Sequence, residues 1–287
     1  MQHSDIGKLV SLLILAAGAM ACAAAPGQAR AQARPAPAGK KGDKKVPKII
    51  LLAGAKSHGK GIHDHPGGLA VLKQSLEEAY GDAQVTVELY EKGWPDDPAA
   101  MNGASTIVVF SDGWDKHCLA KPERLAAVRK LMAGGTGLIC LHFAVAPPKG
   151  TEAEFLTWLG GYYEDGYSKN PVNTVETSPA SPNHPICRGW KAFTAKDEYY
   201  YQIRFGGDDK RVAPIMTAML PKDKPKKETI AWAVQRKNGG RGFGFTGGHF
   251  HANWKIKPFR TMVLNAIVWT AGMEVPPNGV PSTYGQQ

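Results

Sequence analysis

The sequence predicts an α/β fold organised on a mostly parallel sheet. Short apolar runs recur along the chain and end in glycine or in a polar residue. Segments with apolar residues at helical spacing separate these runs. The spacing suits βαβ units, whose parallel strands need a crossover helix between them. In such sheets ligands bind beyond the carboxyl ends of the strands, so the residues that follow each apolar run are the first place to look for a site.

The first run is Ile49-Ile50-Leu51-Leu52-Ala53-Gly54, a buried strand, and the loop after it carries His58, His63 and His65. Leu69–Tyr80 follows as a helix, with Gly81 as its stop. Val85–Tyr90 is a second strand. Thr106–Phe110 is a third, ending at Ser111-Asp112-Gly113-Trp114. Pro122 to Met132 reads as a helix, with proline near its start and Gly134-Gly135 beyond its end. Gly137–Leu141 is a fourth strand, ending in His142. Residues 151–205 are less regular, with a short helix at Glu154–Leu159 and the run Asp197-Glu198-Tyr199-Tyr200-Tyr201. Val212–Met219 and Thr229–Gln235 read as strands on either side of a Lys/Pro-rich loop, Pro221–Lys227. Phe259–Ala271 closes the domain as a helix, and residues 276–287 form a Pro/Gly tail.

The stretch Gly239 to Trp254, GGRGFGFTGGHFHANW, concentrates the most unusual chemistry. Its glycines allow close approach of backbone or ligand. His249 and His251 stand two apart, which on an extended chain puts both imidazoles on one side. Strand ends thus carry His58, Asp112, His142 and the His249/His251 pair toward one edge of the sheet. The expectation is that His58, His142 and His249 line one cleft.

Composition bounds the alternatives. The chain has 287 residues and a net charge of +10. Residues 1–48 hold eight Lys/Arg and two Asp/Glu, and the remainder holds 27 and 23, so the basicity is concentrated in the leader. No basic stripe with interleaved aromatics points to nucleic acid. Lys8 followed by the apolar run Leu9–Ala17 and small residues reads as an export signal, too short to span a bilayer stably. Residues 1–22 are therefore assigned to a signal peptide, 23–46 to a disordered linker and 47–275 to the folded domain. The mature protein is expected to be periplasmic or extracellular, and Cys22 offers a lipid-anchored alternative. Cys118, Cys140 and Cys187 match no zinc knuckle or CxxC motif. No GxGxxG or GxxxxGK[ST] is present, so no nucleotide cofactor is indicated.

SHGKGIHDH after the first strand, VVFSDGWDKH after the third, GLICLHFAV after the fourth, DEYYYQIRF, and GGRGFGFTGGHFHANW with LNAIVW together resemble the trehalose-utilisation (ThuA-like) family over about residues 47–275. The resemblance implies a flavodoxin-like, class I glutamine amidotransferase-like sheet sandwiched by helices. It also implies carbohydrate metabolism. One departure matters: where the amidotransferases carry a nucleophilic cysteine after the elbow strand, this chain has His142, so amidotransferase activity is not carried over.

Histidine chemistry remains, either as transition-metal ligands or as acid and base near neutral pH. The ligands expected for a zinc-like divalent metal are His58, His142, His249 and His251. His142, Glu198 and His249 are the expected catalytic residues. His58, Asp112, Trp114, Tyr199 and Trp254 are the expected substrate-binding residues. Partners expected are a small-molecule carbohydrate and, at most, a lipid anchor and further copies of the chain, with no nucleic acid. Rival readings are a non-catalytic sugar-binding module and a partner protein of a sugar oxidoreductase.

Overall fold

The computed structural model describes residues 45–207 and 209–285. The stretch expected to be a signal peptide, most of the expected linker and Cys22 lie outside the described residues. A nine-stranded sheet runs through the molecule in the order β2-β1-β3-β4-β11-β10-β9-β6-β7. The strands are β1 (Lys48–Ala53), β2 (Thr86–Tyr90), β3 (Thr106–Phe110), β4 (Gly137–Leu141), β6 (Asn173–Pro179), β7 (Phe193–Asp197), β9 (Val212–Leu220), β10 (Lys226–Gln235) and β11 (Arg241–Phe245). Two short strands, β5 (Gly161–Tyr162) and β8 (Arg204–Phe205), pair separately. The helices are α1 (His65–Tyr80), α2 (Pro122–Ala133), α3 (Glu152–Trp158) and α4 (Lys257–Thr270).

Strands β2-β1-β3-β4-β11 are parallel, in the 2-1-3-4-5 order of flavodoxin-like folds. Beyond β11 the pairing turns antiparallel through β10, β9, β6 and β7. The apolar runs follow from the layering. Ile49 and Leu51 face α1 and α4, while Ile50 and Leu52 face α2 and α3, so both faces of β1 are buried. Among the described residues no helix is long and apolar enough to cross a membrane.

Helix α1 begins four residues before the apolar periodicity starts. Asp64 caps it by accepting from the Gly67 N–H at 3.2 Å, and Pro66 occupies the first turn. The loop between β1 and α1 is thereby shortened, and His63 and His65 are pinned at its end. Strands β6 and β7 occupy the stretch expected to be less regular. The C-terminal tail packs onto the domain: Val275 and Val280 are buried, and the Val280 N–H donates to Asn265 Oδ1.

His117 is buried, and its two ring nitrogens do opposite jobs. Nε2 donates to the Ala144 carbonyl at 3.0 Å, and Nδ1 accepts from the Leu119 N–H at 3.0 Å. Only the neutral ring can do both. Burial holds its pKa down to about 4 against an ordinary 6.5, and burial does the same for His184. Between those values the unfolded chain binds the protons, so stability is full above pH 6.5 and is lost as pH falls toward 4. Thermal melts across that window check this; a level melting temperature contradicts it.

Candidate metal centre

Four loops at the carboxyl edge of the parallel strands meet at one point. After β1 the chain returns to the sheet at His63. The His63 N–H donates to the His249 carbonyl at 3.0 Å, and the His251 N–H donates to the Gly61 carbonyl at 2.8 Å, which stitches the first loop to the one after β11. After β4, His142 takes a left-handed backbone, φ 53°. Beyond β7, Asp197 is fully buried and accepts three backbone N–H groups: Gly248 at 2.8 Å, His249 at 3.0 Å and Glu198 at 2.9 Å. One carboxylate thus fixes two of the segments that carry site residues. Burial pushes its own pKa up.

His63, His142, His249 and Glu198 converge. His63 Nε2 lies 3.0 Å from His142 Nε2 and 3.0 Å from His249 Nδ1. His249 Nδ1 lies 3.3 Å from His142 Nε2, and Glu198 Oε2 lies 3.2 and 3.5 Å from His249 and His142 respectively. The outer atoms decide what these inner atoms are. His142 Nδ1 faces the Thr246 carbonyl at 2.8 Å and must donate to it. His63 Nδ1 donates to Asp112 Oδ1 at 2.7 Å, and Ser57 also donates to Asp112, at 2.9 Å. In the neutral rings both Nε2 atoms are therefore lone pairs, and two lone pairs 3.0 Å apart cannot bond to each other. Asn170 donates to Glu198 Oε1, leaving Oε2 turned inward.

A bound cation would satisfy both lone pairs at once; without one, the Tyr200 hydroxyl, 3.1 Å from His142 Nε2, and His249 Nδ1–H, 3.0 Å from His63 Nε2, are the donors within reach. Ligands about 2.0–2.1 Å from a tetrahedral centre stand about 3.3 Å apart, close to the separations seen here. The carboxylate and carbonyl behind His63 and His142 are the outer partners that metal-ligating histidines ordinarily have. The buried His/Glu group can hold a metal ion. Burial, then the neighbouring His63, keeps His142 well below the ordinary histidine range. Burial opposes ionisation of Asp112, yet the hydrogen bonds from His63 and Ser57 bring its carboxyl down to about 2.

The expected site residues divide. His142, His249 and Glu198 come together. His58 is exposed at the rim, φ 64°, its ring 4.0 Å from that of His63 and 6.1 Å from that of His249; with His63 and Asp112 it forms a second group, its ligand atoms within 4.8 Å of one another, that could hold an ion. Asp112 stands behind His63. Trp114 is partly exposed beside Phe143. His251 is not in the cluster: after Phe250 bridges to Ile62 the chain enters a 3-10 turn, His251–Lys255, and the same-side rule for an extended chain lapses. Its Nδ1 lies 3.8 Å from Asp64 instead. Tyr199 is turned into the core against Phe245, and Trp254 is buried between Phe110 and Phe259. His63, Tyr200 and Asp197 were missing from the expected set. Tyr200 places its hydroxyl 3.1 Å from His142 Nε2. Alternation along residues 197–200 puts Glu198 and Tyr200 on the site side, a signal the sequence did contain.

His142 occupies the elbow position of the fold, and Cys140 is buried in the core with its thiol pKa pushed up by burial. Among the described residues all three cysteines are buried, so no exposed thiol is available as a nucleophile.

The family model for trehalose utilisation, ThuA, matches residues 54–270. A ThuA-like protein from Parabacteroides merdae ATCC 43184 superposes with a TM-score of 0.59 at 19% identity, covering 81% of this chain and 92% of that one. Another from Bacteroides uniformis ATCC 8492 gives 0.58 at 17%, covering 80% and 94%. No protein with a curated description matches the sequence. These likenesses carry the fold alone, with its flavodoxin-like parallel strand order. With its model matched over most of the chain, the protein belongs to the ThuA, or trehalose-utilisation, family.

Proposed function

We propose that this chain is an exported, metal-assisted enzyme acting on a saccharide or keto-sugar at the His63–His142–His249–Glu198 cluster. The observation that carries the reading is the convergence of four ligand atoms, two of them imidazole lone pairs that have no proton to share. Three imidazoles and a carboxylate suit zinc or a similar divalent ion. Such an ion, when bound, polarises a carbonyl or hydroxyl oxygen. Export rests on the leader, Lys8 and Leu9–Ala17; carbohydrate as substrate class rests on the family.

The chain's own residues supply the rest. Asp112 holds the His63 ring in the tautomer that turns Nε2 inward, and the Thr246 carbonyl does the same for His142. Tyr200 is the hydroxyl donor at the inner wall. His58, exposed at the rim, is placed to exchange a proton between a bound sugar and water.

Asp112→Asn removes the charge behind His63 and permits the wrong tautomer. Zinc affinity is expected to fall about 10–100-fold with the fold retained, measured by competition with a chelating dye. Turnover is tested by following neutral glycosides and their keto derivatives by NMR with metal-loaded and chelator-stripped protein. Turnover only in the loaded protein supports the enzyme. Binding without turnover in both favours the sugar-binding module.

A further inference from the structure

At the other end of the sheet lies a cavity of about 570 Å³. Its size falls in the range of small-molecule sites, about 300–1,000 Å³. It forms where the β10–β11 hairpin, residues 236–240, meets the end of α2 and the side of α3. Strands β4 and β11 begin beside it and lead to the His142 and His249 loops. Each is five residues long, so about 16 Å of strand separates the cavity from the His63–His142–His249–Glu198 cluster. Asn238 fixes the hairpin: its Nδ2 donates to the Met132 carbonyl at 2.8 Å, and its Oδ1 accepts from the Gly240 N–H at 3.2 Å.

The cavity wall contains a buried charge without a counter-ion. Arg236 is 5% exposed. Its guanidinium donates to the Thr136 carbonyl and lies against the Met132 sulfur, a weak acceptor. Its Nε has no acceptor among the described residues. The nearby carboxylates are taken: Glu154 pairs with Arg129, and Asp209 with Arg211. Burial lowers the Arg236 pKa to about 10, and no neighbouring carboxylate raises it, so the group is charged at neutral pH. An unpaired buried charge is strongly unfavourable. The backbone nevertheless leaves space for it, because a Cβ on Gly240 would stand 2.0 to 2.6 Å from the guanidinium atoms. Lys237, next in the chain, is exposed and makes no ion pair among the described residues. Met132, Thr157 and Trp158 supply an apolar side.

We propose that this cavity binds a small organic dianion. Two unpaired cations, Arg236 and Lys237, call for two negative charges. A guanidinium fork matches the oxygens of a carboxylate or a phosphate. The carbon frame of the ligand lies against Trp158 and Thr157. A phosphate monoester and a dicarboxylate share this chemistry. The site stands apart from the metal and sugar readings, because none of its residues belongs to the cluster.

Calorimetric titration of zinc-loaded protein with glycerol 3-phosphate, succinate and acetate tests this. At least one dianion is expected to bind about tenfold tighter than acetate or better. Tighter binding of glycerol 3-phosphate places both charges on one group, and tighter binding of succinate spreads them over two. Lys237→Ala, on the surface, should weaken that dianion about tenfold, and Arg236→Lys, which keeps the charge and loses the fork, by a similar factor. His142→Ala should leave the affinity unchanged. No dianion binding, acetate binding as tight as the dianions, or full affinity in Lys237→Ala and Arg236→Lys overturns the site. Affinity lost in His142→Ala puts the anion at the cluster and overturns it as well. Dianion binding in protein that holds no zinc keeps the site and overturns only the metal reading.

Discussion

Asp197→Ala is expected to lower stability by about 3–5 kcal/mol, because it leaves the buried N–H groups of Gly248 and His249, and the partly buried N–H of Glu198, without an acceptor. Each orphaned donor costs about 1–3 kcal/mol, and the relief of no longer burying a carboxylate offsets part of the sum. The effect reaches the site as well, because the same bonds set the backbone of His249 and Glu198. Asp197→Asn keeps one acceptor oxygen and turns an NH2 toward one of the donors, so an intermediate loss is expected. Urea denaturation of the three proteins decides it. An Asp197→Ala midpoint equal to wild type would mean that the clamp contributes nothing.

His142→Ala is expected to weaken zinc binding about 100–1,000-fold. Zinc sites of four protein ligands are worth about 10–16 kcal/mol, so one ligand carries about 3–4. Position 142 is the strand-to-turn elbow, where φ 53° already strains a non-glycine residue. Alanine inherits that strain, so the change falls on the ligand and not on the turn. Competition against a chromophoric chelator reads the affinity, and circular dichroism shows whether the fold survives. Wild-type affinity in His142→Ala would remove it from the ligand set.

The sheet was legible because β1, β3 and β4 are buried on both faces and read as unbroken apolar runs. Strands β6 and β7 were not. Asn173–Pro179 buries only Val175 and Thr177, and its remaining residues are partly or fully exposed, so composition gives little to distinguish it from a loop. Within the site, His142, His249 and Glu198 were legible from their places at element ends. His63 was visible in SHGKGIHDH but could not be ranked above His58, because the ranking depends on the Ile62–Phe250 bridge between loops far apart in sequence. The same bridge turns the chain after Phe250, and that is why the pairing of His249 with His251 failed. Tyr199 and Trp254 were expected at the site as aromatics near its motifs, yet alternation and the turn after His251 send both into the core.

Metal content is the most direct test of the account. Elemental mass spectrometry is made on protein from residue 45 onward, free of any histidine tag, after reconstitution with zinc. Wild type, His249→Ala and His251→Ala are compared. Near-stoichiometric zinc is expected in wild type and in His251→Ala, and its loss in His249→Ala. No zinc in wild type, or loss in His251→Ala with retention in His249→Ala, would contradict a centre built from His63, His142, His249 and Glu198.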